Sequence, residues 1–158
     1  MELMIVIVLI SMMLFISVPK FQDALLNDNT KKSCRFIIGK IQTLKEASMR
    51  EQSEYILRIG VTDGSLIATK ISSDDSTASS SIPQNTYKLP GNVKIIDVEY
   101  PDGKKISQGE AEIKFYPKGY SNKAIIHLKG EDDQQISFFI EPFLSTVRLV
   151  QSYKSFEN

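Results

Sequence analysis

The first eighteen residues constrain this chain more than any other part of it. Residues 3–18 form an uninterrupted run of sixteen residues without a charged side chain, and Glu2 is the one ionisable side chain before them. As a helix the run extends roughly 24 Å, at about 1.5 Å per residue. The hydrocarbon core of a bilayer is about 30 Å thick. The pattern predicts a slightly short membrane-spanning helix whose acidic start needs a physical reason.

The charges around this run are unusually placed for a membrane anchor. No Lys or Arg precedes it, and the first basic residue after it is Lys20. Taken literally, the positive-inside rule would place the rest of the chain in the cytoplasm. A cleaved signal peptide fits poorly, because there is no basic start and no small-x-small cleavage site before Pro19.

Composition bounds what the remaining chain can do. The 158 residues suit one domain with a modest core, and a formal net charge of zero gives no global attraction to nucleic acid. The single cysteine, Cys34, forbids an intramolecular disulfide and is expected to be packed in the core. With no Trp and one His, we expect no cofactor and no metal.

A second helical segment follows the apolar run. Pro19 is expected to kink the helix axis. Beyond it, apolar and small residues recur at steps of three and four, which is the period of a helix with one buried face. We predict one helix from residue 1 to about residue 51, apolar all round in its first half and amphipathic in its second. The predicted buried stripe is Cys34, Ile37, Ile41, Leu44 and Ser48, with Lys40, Lys45, Glu46 and Arg50 on the other faces.

After residue 54 the apolar period changes to two, which is typical of strands. A Thr62-Asp63-Gly64-Ser65 segment predicts a hairpin turn between the first two strands. Residues 72–84 are rich in Ser, Asp and Thr and are predicted to be a surface loop. The fold class is therefore α+β, a long helix packed on an antiparallel β-sheet domain. The predicted strands are residues 55–61, 66–71, 93–100, 110–116, 124–129, 135–140 and 147–153.

Three groups of residues have side chains that could carry catalysis or binding. His127 has no Ser, Cys or carboxylate beside it in sequence that would suggest a triad, so a structural role is expected. One acidic pair and one acidic triplet lack EF-hand spacing and are expected to be solvated turns. Four lysines and two tyrosines around residues 113–129 are expected to protect a β edge rather than bind nucleic acid. The acidic residues are Asp74, Asp75, Glu131, Asp132 and Asp133; the others are Lys114, Lys118, Lys123, Lys129, Tyr116 and Tyr120.

The amino-terminal sequence Glu-Leu-Met-Ile-Val-Ile-Val-Leu-Ile, with Pro19 seventeen residues after Glu2, resembles type IV pilins and type II secretion pseudopilins. In that family a basic leader ending in Gly precedes Phe-Thr-Leu-x-Glu, and a peptidase removes the leader and methylates the new terminus. The resemblance implies that Glu2 pairs with the terminal amine of a neighbouring subunit. Leader and Phe-Thr-Leu are absent here, so we expect that the chain as given starts at an internal Met.

The segment Phe115-Tyr116-Pro117-Lys118-Gly119 between two predicted strands resembles the strand-Phe-x-Pro-x-Gly-strand hairpin of the minor pseudopilin H group. The two resemblances imply a transmembrane and assembly half-helix (residues 1–19), an amphipathic half-helix (20–53) and a periplasmic β-rich domain (54–158). The implied protein is not an enzyme. It is a single-pass inner-membrane subunit that assembles into a periplasmic filament.

The implied function is that of a minor pseudopilin supporting protein export across the outer membrane. The implied partners are other pilin-like subunits through the helix, a prepilin peptidase acting on the precursor and an inner-membrane assembly platform. Two alternatives stay open: a minor type IV pilin for pilus assembly, DNA uptake or adhesion, and a membrane-anchored enzyme using His127.

Overall fold

The computed structural model describes residue 6, residues 29–71 and residues 83–156. In that part of the chain a helix, α1 (residues 29–50), is followed by nine strands. The strands are β1 (Glu54–Gly60), β2 (Ser65–Ile71), β3 (Pro83–Lys88), β4 (Lys94–Glu99), β5 (Lys105–Ile106), β6 (Glu110–Phe115), β7 (Ala124–Lys129), β8 (Gln135–Ile140) and β9 (Arg148–Val150).

The amphipathic stripe predicted for the helix is confirmed. All five of its members are buried, and Ile37 is only 1% exposed. Spacing of three and four residues puts these side chains on one face of α1, where they can leave water together. One expectation for the other faces is wrong, since Lys45 is buried as well.

Helix α1 ends without a glycine. Gln52 takes a left-handed backbone conformation, with φ of 47°. The next amide, Ser53 N–H, donates to the Ser48 carbonyl at 3.2 Å, which satisfies one of the carbonyls left open at a helix end. The chain then turns directly into β1.

The strands form two antiparallel sheets. The sequence pattern predicted a single β domain and did not predict that its strands divide into two sheets. The first sheet has the order β3-β2-β1-β6 and the second the order β5-β4-β7-β8-β9. The hairpin predicted around Asp63 and Gly64 is confirmed: β1 pairs with β2, and Gly64 has a φ of 68°. Strands β3 and β5 were not predicted, and β3 includes two residues of the predicted 72–84 loop.

The hairpin predicted across residues 113–128 is wrong. The chain does reverse at Gly119, where Tyr116 N–H donates to the Tyr120 carbonyl at 2.9 Å. However, β6 pairs with β1 in the first sheet, whereas β7 pairs with β4 and β8 in the second. The segment is therefore a crossover between the two sheets. Strand β7 pairs along its length with β4 and β8, whereas a single bridge, Phe115–Ser121, joins the two sides of the turn.

One apolar core joins the helix to both sheets. Members of the helix stripe, the inward side of the first sheet and the inward side of the second sheet belong to the same buried cluster. The largest fully buried side chains include Tyr55, Phe115 and Phe138. Burial of this shared surface holds the three layers together.

Several predictions fall outside the described residues. These are the membrane-spanning run, Glu2, Pro19, and the pair Asp74 and Asp75. Within the described ranges, no helix is both long and apolar enough to cross a membrane.

We expect Ile37→Ala to lower the free energy of unfolding of the domain by about 2–5 kcal/mol, because it leaves a cavity between helix and sheets. Ile71→Ala is the matched control: Ile71 is 39% exposed, and its change should stay within about 1 kcal/mol. Chemical denaturation followed by circular dichroism measures both. Equal losses in the two variants would contradict a core centred on the helix stripe.

Candidate functional site

A buried lysine organises the loop that joins β8 to β9. Lys45, on α1, is 5% exposed. Its ammonium group donates to the main-chain carbonyls of Pro142 and Leu144, both at 2.7 Å, and lies 3.5 Å from that of Glu141. Burial lowers the pKa of Lys45. The three acceptors replace the water that the cation has lost, so the loop is shaped around it.

The same loop carries the most exposed large apolar side chain of the described chain. Phe143 is 81% exposed and its neighbour Leu144 is 57% exposed. The Phe143 ring lies 6.3 Å from the Tyr120 ring, which stacks on Tyr116 at 4.5 Å. We call Tyr116, Tyr120, Phe143 and Leu144 the aromatic tip. Tyr116 and Tyr120 are half-buried, and they support the exposed Phe143 and Leu144. Aromatic side chains on a preorganised support are enriched at protein-binding surfaces.

The turn that carries the two tyrosines depends on a glycine. Gly119 has a φ of 84°, and a Cβ placed on it would lie 2.8 Å from Met49 Sδ. The left-handed backbone is the reason for glycine here, since the flexible Met49 side chain can move aside. Ser48 Oγ donates to the Tyr116 carbonyl at 3.2 Å, which holds the turn against the end of α1.

Most lysines of the 113–129 segment are occupied by carboxylates. Lys114, Lys123 and Lys129 form ion pairs with Glu54, Glu141 and Asp133 at 3.6, 3.4 and 2.8 Å respectively. Lys118 is exposed. Binding to a phosphate backbone requires an excess of positive charge, and these ion pairs leave little excess on this surface.

The acidic turn at residues 131–133 lies against the first described residues of α1. Asn29 Nδ2 donates to Glu131 Oε1 at 3.2 Å, and Glu131 N–H donates to Thr30 Oγ1 at 3.4 Å. Among the described residues no group of three or more acidic, His or Cys side chains is arranged to hold a metal ion.

Cys34 is buried in the core, and burial raises the pKa of its thiol. The thiol form is thereby favoured over the reactive thiolate. This confirms the packed position expected from the sequence.

His127 lies in the middle of the second sheet and is fully buried. Its Nδ1 is 2.6 Å from Asp97 Oδ1, and its Nε2 is 3.0 Å from the Lys154 carbonyl oxygen. No carboxylate neighbours His127 in sequence, but a bulge in β4 between Ile95 and Asp97 places Asp97 opposite it in the sheet. Both ring nitrogens are already bonded, so neither faces a nucleophile.

Two solved structures are similar to this chain, and both are described as minor pseudopilin EpsH from the type II secretion system of Vibrio cholerae. The first has a TM-score of 0.61 at 14% identity, over 80% of this chain and 99% of the other. The second has a TM-score of 0.61 at 16% identity, over 81% of this chain and 97% of the other. No protein-family model matches the sequence, and no curated protein matches it.

The chain has the fold of a minor pseudopilin. At 14–16% identity the similarity shows the fold and not a shared role. The pseudopilin-like fold implied by the amino-terminal pattern and the Pro-x-Gly turn is thus confirmed. The aromatic tip and the His127–Asp97 pair were missed, because residues far apart in sequence form both of them.

We expect Lys45→Met to loosen the aromatic tip. Methionine fills similar volume but leaves the Leu144 carbonyl without this donor and removes one of the two donors of the Pro142 carbonyl, and losing the partner of a buried group costs about 1–3 kcal/mol. Hydrogen exchange of the Ser121 amide, which donates to the Pro142 carbonyl at 3.1 Å, should therefore accelerate. Lys118→Met, which removes an exposed lysine from the neighbouring turn, is the control and should leave that amide unchanged. Unaltered exchange in Lys45→Met would show that the lysine does not order the loop.

Proposed function

We propose that this chain is a structural subunit of a type II secretion pseudopilus, acting as a minor pseudopilin. The observation that carries the proposal is the match of its fold, over about four fifths of the chain, to a minor pseudopilin. The sequence supports it independently, since Glu2 followed by an apolar run is the pattern of subunits that assemble through their first helix.

In the proposed mechanism the apolar first half of the helix stores the subunit in the inner membrane, and the β domain lies in the periplasm. Glu2 is expensive in hydrocarbon, about 2.5–3.5 kcal/mol for a charge at the bilayer centre on insertion scales. Pairing with the terminal amine of a neighbouring subunit removes that cost. Assembly is therefore favoured at the register where the two groups meet.

Contacts between different faces of neighbouring subunits do not close into a ring and so extend into a filament. The helix supplies the axial contacts in this scheme. The aromatic tip supplies a second surface for a neighbouring filament subunit, since its Phe143 and Leu144 side chains are exposed and Lys45 holds their loop in place. A prepilin peptidase and an inner-membrane assembly platform are the further partners that this role requires.

The alternatives from the sequence are weaker. A minor type IV pilin would use the same helix chemistry, but three of the four lysines proposed for contact with DNA are paired with carboxylates. An enzymatic role for His127 gains no support, since both of its ring nitrogens are already bonded. That the chain has no catalytic function remains part of the proposal.

We expect Glu2→Gln to abolish incorporation into filaments while leaving the amount in the membrane unchanged. The neutral amide inserts at least as easily as the carboxylate but cannot form the ion pair that drives recruitment. The measurement is cross-linking of the full chain to co-expressed pseudopilins, with at least a tenfold loss expected. Glu46→Gln, on the exposed face of α1, is the control. Normal incorporation of Glu2→Gln would contradict the assembly mechanism.

The intact mass and amino-terminal sequence of the protein from its native membrane test the proposal more directly. An N-methylated Phe followed by Thr-Leu and the Met-Glu-Leu of this chain would support processing as a pilin-like precursor. An unmethylated terminus at Met1 would contradict it.

A further inference from the structure

The outward side of the second sheet is polar in its centre and buried. Register across β4, β7 and β8 aligns Asp97, His127 and Ser137 in one row. The next row on the same side contains Glu99, Ile125 and Phe139. All six side chains are buried, although they point away from the core that the helix shares. Something other than the helix must therefore cover them.

The cover is the segment after β9. Residues 151–156, which we call the strap, leave the sheet edge instead of continuing as a strand, so the predicted strand 147–153 is only three residues long. The Tyr153 ring stacks on His127 with centroids 3.9 Å apart, and the Phe156 ring meets Phe139 edge-on at 6.3 Å.

Polar bonds to main-chain groups hold the strap. Ser137 Oγ donates to the Ser152 carbonyl at 2.6 Å and accepts from Lys154 N–H at 3.0 Å. Phe156 N–H donates to Glu99 Oε1 at 3.3 Å, and the Ser155 hydroxyl donates to the same oxygen. The strap thus depends on buried polar side chains of the sheet, one of them the titratable Glu99, for much of its attachment.

His127 is the centre of this attachment, and its two bonds require two protons. The Lys154 carbonyl can only accept, so Nε2 must carry a hydrogen. An ionised Asp97 can also only accept, so Nδ1 must carry one too, unless the carboxyl group itself is protonated. In either case the pair holds one proton more than neutral histidine beside an ionised aspartate does.

The charged and titratable groups nearest the pair lie on the strap, β4 and β5. Further along the same side, Arg148 lies over the Phe139 ring at 4.3 Å and Lys123 over the Phe156 ring at 5.1 Å. Tyr153 donates its hydroxyl to Asp97 Oδ2 at 3.1 Å. Lys105, on β5, lies 3.3 Å from the Tyr153 hydroxyl and 3.3 Å from Glu99 Oε2. Burial alone would raise the pKa of Glu99, but hydrogen bonds from the strap and the ammonium of Lys105 outweigh it and hold that pKa below its ordinary value.

We propose that the strap is a pH-gated cover, closed while the His127–Asp97 pair holds its extra proton and released when that proton is lost. Release uncovers the outward side of the second sheet, including the apolar Ile125 and Phe139. This inference goes beyond the proposed function and does not depend on it.

The direction of the response follows from the proton count. As the pH rises, the pair loses its proton, and then either Nε2 no longer donates to Lys154 or Nδ1 turns a lone pair toward the carboxylate. Closure is therefore favoured at low pH and lost at high pH through this pair. Glu99 acts in the opposite sense, because its pKa is lower in the folded protein than in the unfolded chain. Its ionised carboxylate therefore stabilises the folded state at pH values above the unfolded pKa, and this stability is lost on acidification.

Hydrogen exchange of the full chain tests the proposal from about pH 5 to about pH 9, a range that includes the charge change of histidine. The probes are the Lys154 and Phe156 amides, whose hydrogens bond to Ser137 and Glu99. After correction for the intrinsic rate, their protection should fall at least tenfold toward high pH, while amides of α1 and β7 stay protected. Constant protection of the two probes would overturn the proposal, as would a parallel loss in α1 and β7.

Asp97→Asn gives the sharper test. The amide can donate to an unprotonated Nδ1 and still accept from Tyr153, so neutral His127 satisfies both bonds without the extra proton. The strap should then stay protected at high pH. Asp102→Asn, in an exposed turn, is the control and should keep the response of the parent chain. If Asp97→Asn loses protection with pH as the parent does, the gating by this pair is wrong.

Discussion

The packing of one helix face against two sheets is the constraint on which the rest of the structure depends. Ile37 and its neighbours on α1 share a single core with the inward sides of both sheets, so the inward side of each sheet is buried only through that shared core. Because burial of this common surface is the main favourable term, positions at the end of α1 and at the edges of the sheets are set by it. The aromatic tip lies where the end of α1 meets those edges.

Two buried polar centres then shape the parts of the surface that the core cannot. Lys45 orders the loop bearing Phe143 through three main-chain carbonyls, and His127 with Asp97 holds the strap through Lys154. In both cases a buried charged or titratable group takes main-chain partners in place of water. The geometry of each surface therefore depends on a polar group whose removal is costly.

Local patterns predicted much of the fold. The three- and four-residue period located the helix stripe, two central strands were predicted with their observed bounds, and Asp63-Gly64 predicted its hairpin. The apolar alternation around Ile95 and Ile96 changes phase, and this was the one sequence signal of the bulge that turns Asp97 toward His127. The burial of Lys45 had no such signal, since a lysine on an amphipathic helix ordinarily faces water.

The sequence by itself determined the α+β class, the apolar run preceded by Glu2 and the pilin-like amino-terminal pattern. These features depend on residues that are near neighbours in the chain. Only the tertiary structure decided that β6 and β7 belong to different sheets and that the strap crosses the second one. It also brought Lys45 to the carbonyls of a loop about a hundred residues away. Strand partners and buried polar contacts of this kind are chosen by competition between distant segments for the same core and the same hydrogen bonds, and no local pattern records the outcome.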